Sequence, residues 1–330
     1  IEQTDVMTGD RNHARFLYYQ LKMSMKKAER MDIIVSFLME SGVRLLLNDL
    51  KEALDRGVKI RLLTGNYLGI TQPSALCLIK KELNNQVDLR FYNEKGRSFH
   101  PKAYIFHQNA GSEIYIGSSN LSRSALTSGI EWNYRFDSHR DQYNFQLFYE
   151  TFEDLFYHHS IIVDDEELRR YSKVWKRPAV AKDLEKHEEE EEAPSIIEIF
   201  QPRGAQIEAL YALEASRAEG AVKGLIQAAT GVGKTYLAAF DSAGYEHVLF
   251  VAHREEILKQ AAVAFRNVRK SDDYGFFHSR QKDTEKAVIF ASVATLGKDA
   301  YLCDDYFSKD YFDYIVVDEY EIIGLSQEAA

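Results

Sequence analysis

Apolar residues come in short blocks along this chain, and each block has its own period. Residues 32–37 and 58–64 read as buried strands, the second ended by Gly65 and Asn66. Between them, residues 42–56 carry Leu45, Leu46, Leu50 and Leu54 at the spacing of one amphipathic helix face. A second helix over about 74–83 leads into a strand at 87–92. Strand and helix alternating in this way predict an α/β sheet covered by helices. Two closely spaced strands follow at 101–106 and 113–117, and a helix over 141–157 closes the region.

The alternation then stops and restarts. Glu185 and Glu188 to Glu192, with only Lys186 among them, put −5 on eight residues before Pro194. Such a run repels itself, and proline ends any helix that reaches it. The chain therefore divides into a first domain at 1–180, an acidic joint at 181–195 and a second domain at 196–330. The joint reads as a solvated helix end or linker; an acidic mimic of nucleic acid lying over a basic groove is the alternative. Beyond it, a helix over 206–218 precedes a strand at 224–227, a glycine-rich turn and a helix starting near Lys234. Strands at 248–252, 287–291 and 314–317 complete a mostly parallel, nucleotide-binding sheet in outline.

Composition changes this picture little. At 330 residues, 45% hydrophobic and 28% charged, the chain has apolar material for two cores. No apolar run approaches the roughly 18 residues that span a bilayer, so no membrane partner is expected. Cys77 and Cys303 offer neither a disulfide framework nor metal-ligand spacing, which points to the reducing cytoplasm. The net charge of −10 argues against a uniformly basic nucleic-acid binder, but half of it sits in the acidic joint. A local basic groove is compatible with the rest.

The chemistry is more specific. His100 and Lys102 stand two apart at the start of a strand, so their side chains share a face. Ser118 and Asn120 stand two apart at the end of the next strand, within Gly117-Ser118-Ser119-Asn120. The two pairs are expected to converge on one phosphate. Lys102 supplies charge, Ser118 and Asn120 supply hydrogen-bond donors, and His100 supplies a nucleophilic nitrogen. Lys95, Arg97, Arg123 and Arg135 either line a phosphate track or are ordinary solvated charges.

The paired motifs resemble the phospholipase D superfamily over about 32–136, which implies a phospholipase D-like α/β sandwich. The resemblance implies catalysis through a phosphohistidine and without a metal. It also gives Glu131 the place of the acid behind the histidine, where it would fix the imidazole tautomer. Two features depart from the pattern. The acid five residues after the lysine is replaced by His107, which fits family nucleases better than lipid hydrolases. The chain also holds a single His-x-Lys, whereas the chemistry uses one histidine to attack and a second to protonate the leaving oxygen. A homodimer is the expectation.

The second site is a phosphate loop. Ala228-Ala229-Thr230-Gly231-Val232-Gly233-Lys234-Thr235 follows a predicted strand and opens a helix, so the backbone from Thr230 through Val232 to Thr235 is placed to cradle phosphates. Lys234 would reach the β- and γ-phosphates of ATP, and Thr235 would hold Mg2+. Four further segments resemble superfamily 2 helicases and imply a RecA-like lobe. In Phe200 to Gln206, Gln206 would read adenine. Val251-Ala252-His253-Arg254 and Ala291 to Leu296 look like strand-contacting motifs. In Tyr314 to Glu319, Asp318 would hold Mg2+ and Glu319 would orient the attacking water. Here the family continues with His or Asp two residues on, and this chain has Glu321. The family's motors close two lobes around ATP, so a single lobe is expected to bind nucleotide and hydrolyse it poorly.

This order of parts resembles modification-dependent (type IV) restriction enzymes of the SauUSI type, which implies DNA as the partner. Two rivals stand beside it. The first domain could be a silent dimerisation or DNA-docking module on a repair helicase, or it could act on phospholipid.

Overall fold

The computed structural model describes residues 3–10, 15–94, 96–191, 200–229, 231–298, 301, 306–308 and 310–318. Thr230, Glu319, Lys95 and Cys303 lie outside them. The chain forms two compact units, 1–196 and 197–330.

In the first unit the order is β1 (Val6–Met7), α1 (Leu17–Met25), β2 (Arg30–Val35), α2 (Glu40–Asp55), β3 (Lys59–Thr64), α3 (Pro73–Glu82), β4 (Val87–Tyr92), β5 (Lys102–His107), β6 (Glu113–Gly117), α4 (Arg123–Thr127), β7 (Asn133–Asp137), α5 (Gln142–His158), β8 (Ser160–Ile162), α6 (Asp165–Val174) and α7 (Ala179–Glu191). Among the described residues the strands form one sheet in the order β1-β7-β6-β5-β2-β3-β4-β8. The helical crossovers make β2, β3 and β4 parallel, while the short connections around β5, β6 and β7 make these antiparallel. Ile34, Leu63, Ala103, Ile105 and Ile114 pack against Phe145, Phe152 and Phe156 of α5. The inward face of α2 is Val43, Leu46, Leu50 and Ala53. Leu45 and Leu54, expected inward, sit at its margins, because any helix with leucines on neighbouring angles has several candidate faces and packing selects one.

An ion cluster is sealed into the α5 side of this sheet. Asp32 is fully buried, and Arg61 donates to it twice, at 2.6 and 2.9 Å. Arg61 also reaches Glu153 of α5 at 2.5 Å and lies over the rings of Phe152 and Phe156. His107, the residue that replaces the expected acid, places Nε2 2.8 Å from Asp32. Burial opposes ionisation of Asp32, but the bond from His107 and the guanidinium of Arg61 outweigh it and hold the carboxyl below its ordinary value.

The acidic joint is helical as far as Glu191. Glutamate is a good helix former, and the first half of α7 is anchored: Ala181 is fully buried, and Glu185 takes contacts from Gln72 and Arg177.

The second unit contains α8 (Ala205–Ala218), α9 (Lys234–Asp241), β9 (Val248–Ala252), α10 (Glu255–Arg269), β10 (Tyr274–His278), β11 (Gln281–Lys282), β12 (Val288–Ser292), α11 (Val293–Leu296) and β13 (Tyr314–Val317). Its sheet runs β11-β10-β12-β9-β13, parallel except for the β10–β11 hairpin. The strand expected at 224–227 is not formed. Apolar character marks a segment as able to enter a sheet, but a strand also needs a neighbouring edge; Leu225 is left 77% exposed. Among the described residues no helix is long and apolar enough to cross a membrane.

Candidate functional site

The two halves of the first site lie on paired strands, since β5 and β6 run antiparallel with Ala103 opposite Ile116. They meet at the C-terminal end of β2. Val35 pairs with Lys102, and the next residue, Ser36, donates its hydroxyl to the carbonyl of Pro101 at 3.2 Å. From the other side Asn120 accepts the backbone N–H groups of Ser36 (3.0 Å) and Phe37 (3.3 Å) on its amide oxygen. Oxygen and nitrogen of that amide are thereby distinguished, and the NH2 is the group left to donate.

Lys102 is buried, and its ammonium lies 2.8 Å from His100 Nδ1, 3.2 Å from Nε2 and 3.0 Å from the His100 carbonyl. An ammonium only donates, so it pairs with whichever ring nitrogen carries no proton in the neutral imidazole. His100 is exposed at the surface. Partial loss of water around the ring, and then the charge of Lys102, lower its pKa below the ordinary 6.5. Burial also lowers the pKa of Lys102, and the charge of Glu131 opposes that shift.

Glu131 accepts a hydrogen bond from the Ser118 hydroxyl. Ser118 extends the β6–β7 ladder: its N–H donates to the Trp132 carbonyl at 3.0 Å, and its hydroxyl accepts the Trp132 N–H at 3.0 Å. This close pairing explains Gly117, where a Cβ would stand 2.1 Å from the Trp132 carbonyl oxygen. Between Ser118 and Asn120, buried Ser119 is fixed by Asn133 (2.8 Å to its hydroxyl) and Tyr104 (3.2 Å to its carbonyl). His100, Lys102, Ser118, Asn120 and Glu131 thus come together at one end of one sheet. The supporting roles of Ser36, Tyr104 and Asn133 were not legible in the motifs, although the polar Ser36 directly after an apolar strand was a signal.

Arg135, a candidate for a phosphate track, instead binds Glu113 at 2.5 Å and Asp5 at 2.8 Å. Arg97 stands 3.9 Å from Glu94 and is largely exposed.

In the second unit Gly233, at φ +78°, caps α9 in the left-handed region, and Gly231 has φ +87°. Lys234 donates to the Ala228 carbonyl at 3.3 Å, so the loop curls around its own ammonium. Gln206 donates to the carbonyls of Val232 (3.0 Å) and Gly233 (3.2 Å), and its oxygen accepts the Arg203 N–H at 3.1 Å. Upstream, Phe200 stacks on Tyr236 of α9 at 5.5 Å. Asp318 follows β13, its N–H bonded to the Val251 carbonyl at 2.9 Å. His253 and Arg254, at the end of β9, are exposed. The open, left-handed loop with a lysine at a helix N-terminus fits a nucleotide's phosphates, and Thr235 and Asp318 have the oxygen donors suited to Mg2+.

Two family models match separate parts of the chain. Residues 21–156 match the family model described as "Cardiolipin synthase, PLD-like domain", and residues 199–320 match "Type III restriction enzyme, res subunit". The chain therefore carries a phospholipase D-like domain followed by a helicase-type domain. No protein of curated function matches it. Similar solved structures include Nuc, a phospholipase D family member from Salmonella typhimurium (17% identity, 44% of this chain, 90% of that chain, TM-score 0.36). NucT from Helicobacter pylori is 14% identical over 46% of this chain and 94% of that one, with TM-score 0.37. TrmBL2, an archaeal chromatin protein, is 21% identical over 47% of this chain and 52% of that one, with TM-score 0.31.

Proposed function

We propose that the first unit hydrolyses DNA phosphodiesters through a phosphohistidine at His100, and that the second unit belongs to an ATP-driven motor acting on the same DNA. The observation that carries this reading is the convergence of His100, Lys102, Ser118, Asn120 and Glu131 at the end of β2 and β5. A nuclease joined to a motor serves restriction of foreign or modified DNA, as in the SauUSI-type enzymes whose order of parts the chain resembles.

In the attack step a ring nitrogen of His100 bonds to phosphorus, and one P–O ester bond breaks. The departing oxygen takes a proton from a second histidine. Water then attacks phosphorus, gives its proton to that second histidine, and the P–N bond breaks, returning His100. Charge on the non-bridging oxygens is met by the Lys102 ammonium and the Asn120 NH2, so the electrostatic work falls to protein groups. Glu131 holds Ser118 and adds negative charge beside Lys102. The second histidine comes from a second copy of the chain, because this one has a single His-x-Lys. Rapid quenching with labelled DNA tests the intermediate. An alkali-stable, acid-labile label on the protein, absent from His100→Ala, is expected; no label at any time would contradict the mechanism.

The pKa of His100 sets a pH dependence. Only the neutral imidazole attacks, and the second histidine must carry the proton it gives to the departing oxygen, so cleavage rises with pH through the pKa of the attacking histidine and falls again as the second one loses its proton. Since that pKa is lowered, the acid limb of kcat/KM is expected below pH 6.5. A limb at or above the ordinary histidine value would contradict it.

In the second unit, bound ATP with Mg2+ supplies the free energy of hydrolysis. Lys234 would meet the phosphates, Thr235 and Asp318 would hold the metal, and Glu319 would orient water. Gln206 keeps the loop open by bonding two of its carbonyls. Gln206→Ala is expected to weaken binding of a fluorescent ATP analogue about tenfold, the scale of one or two lost hydrogen bonds. Unchanged affinity would show that these bonds do not shape the cradle.

A further inference from the structure

We propose that the β10–β11 hairpin is part of a nucleic-acid track on the second unit, with Arg280 at its tip holding a backbone phosphate. The proposal rests on the reading of this unit as a motor on DNA, and it names a contact outside the segments that gave that reading. Register places the parts. Ala252 pairs with Ser292, and Phe277 pairs with Ala291, so β9, β12 and β10 finish in a row at one end of the sheet. Exposed His253 and Arg254 follow β9, and the exposed two-residue turn Ser279-Arg280 follows β10.

The turn is tied in place. Ser279 donates its hydroxyl to Oε1 of Glu255 at 3.2 Å, and buried His278 places Nδ1 3.4 Å from the same oxygen. Glu255 opens α10 directly after Arg254, so these contacts hold the turn beside the end of β9. Lys282 serves the hairpin itself: its ammonium donates to the His278 carbonyl and lies over the rings of Phe277 and Tyr301. Arg280 is the cation left facing water, and among the described residues neither it nor Arg254 meets a carboxylate. Distance sets this pair apart from the nucleotide's metal. Asp318 follows β13, and the order β10-β12-β9-β13 puts three strand spacings, roughly 14 Å, between it and the turn. Arg254 and Arg280 are two spacings apart, roughly 10 Å, which is about three nucleotides of one strand. Two unpaired guanidinium forks at that separation suit phosphates of a single backbone, whatever its bases.

Anisotropy of a labelled oligothymidylate at several salt concentrations tests this, with the full chain carrying His100→Ala so that the strand is not cut. Adding Arg280→Ala is expected to weaken binding about fivefold, the scale of one exposed ion pair. The slope of log K against log salt should become shallower by about 0.7, one phosphate of a single strand. Arg280→Lys keeps the charge and is expected to keep the slope. Any hold of the first unit on the strand is common to all these proteins, so the difference reads the turn. Unchanged affinity and slope in Arg280→Ala would overturn the proposal, as would equal losses of slope in Arg280→Ala and Arg280→Lys. Binding of a fluorescent ATP analogue by the same proteins separates this from the motor reading. Normal analogue binding with DNA binding indifferent to Arg280 removes the track and leaves the motor. No analogue binding by any of them, with DNA weakened by Arg280→Ala, keeps the track and removes the motor.

Discussion

Replacing His100 by alanine is expected to lower DNA cleavage by at least about 10⁴-fold while leaving DNA affinity nearly unchanged, because in the mechanism we propose it removes the nucleophile and the covalent route with it. The groups placed to bind phosphate, Lys102 and Asn120, are held independently: Lys102 by its own burial in β5 and Asn120 by the backbone of Ser36 and Phe37. Cleavage measured under single-turnover conditions, beside a gel-shift assay, separates the two effects. If the first unit were a silent docking module on a repair motor, the same substitution would change neither quantity.

Asp32→Ala is the substitution expected to cost the most stability. It leaves Arg61 buried beneath α5 with Glu153 as its remaining carboxylate partner, and it removes the acceptor facing His107. Breaking a buried pair from one side costs about 3–5 kcal/mol. For a unit of this size that is a fall of roughly 10 °C in the melting transition. An Asp32→Leu/Arg61→Leu double variant should recover part of the loss, since the buried guanidinium is then gone and the charges left behind, Glu153 and Arg30, are partly exposed. A double variant less stable than Asp32→Ala would show that the cluster stabilises by more than mutual neutralisation. The sign with pH also follows. The carboxyl's folded-state pKa lies below the ordinary 3.8, so its contribution is complete above that value and disappears as pH falls through the folded one.

The same cluster shows why part of the structure was legible in the sequence and part was not. His107 looked like a gap in the longer motif. The structure pairs it with Asp32 on the neighbouring strand, a relation that only sheet register creates. The strands of strongest apolar character, β2, β3, β5, β9 and β12, announce themselves because both faces are covered. β7 does not: Asn133-Tyr134-Arg135-Phe136-Asp137 alternates polar and aromatic residues near the sheet edge, and its pairing with β6 is what places Glu131 beside Ser118. The segment at 224–227 fails in the opposite direction, apolar in sequence yet without a partner strand among the described residues. The acidic run looked like a break, but helix propensity and the anchoring of Ala181 and Glu185 carry α7 into it. The phosphate loop and the His-x-Lys pair were legible because their chemistry is local, within a few residues of chain.

If His100 is the nucleophile, DNA cleavage needs no metal. The most direct measurement is incubation of the full chain with plasmid DNA in EDTA and without ATP, beside His100→Ala. Nicking or linearisation by the wild type and none by the variant is the predicted result. Cleavage that persists in His100→Ala, or that appears only when a divalent metal is restored, would contradict the account.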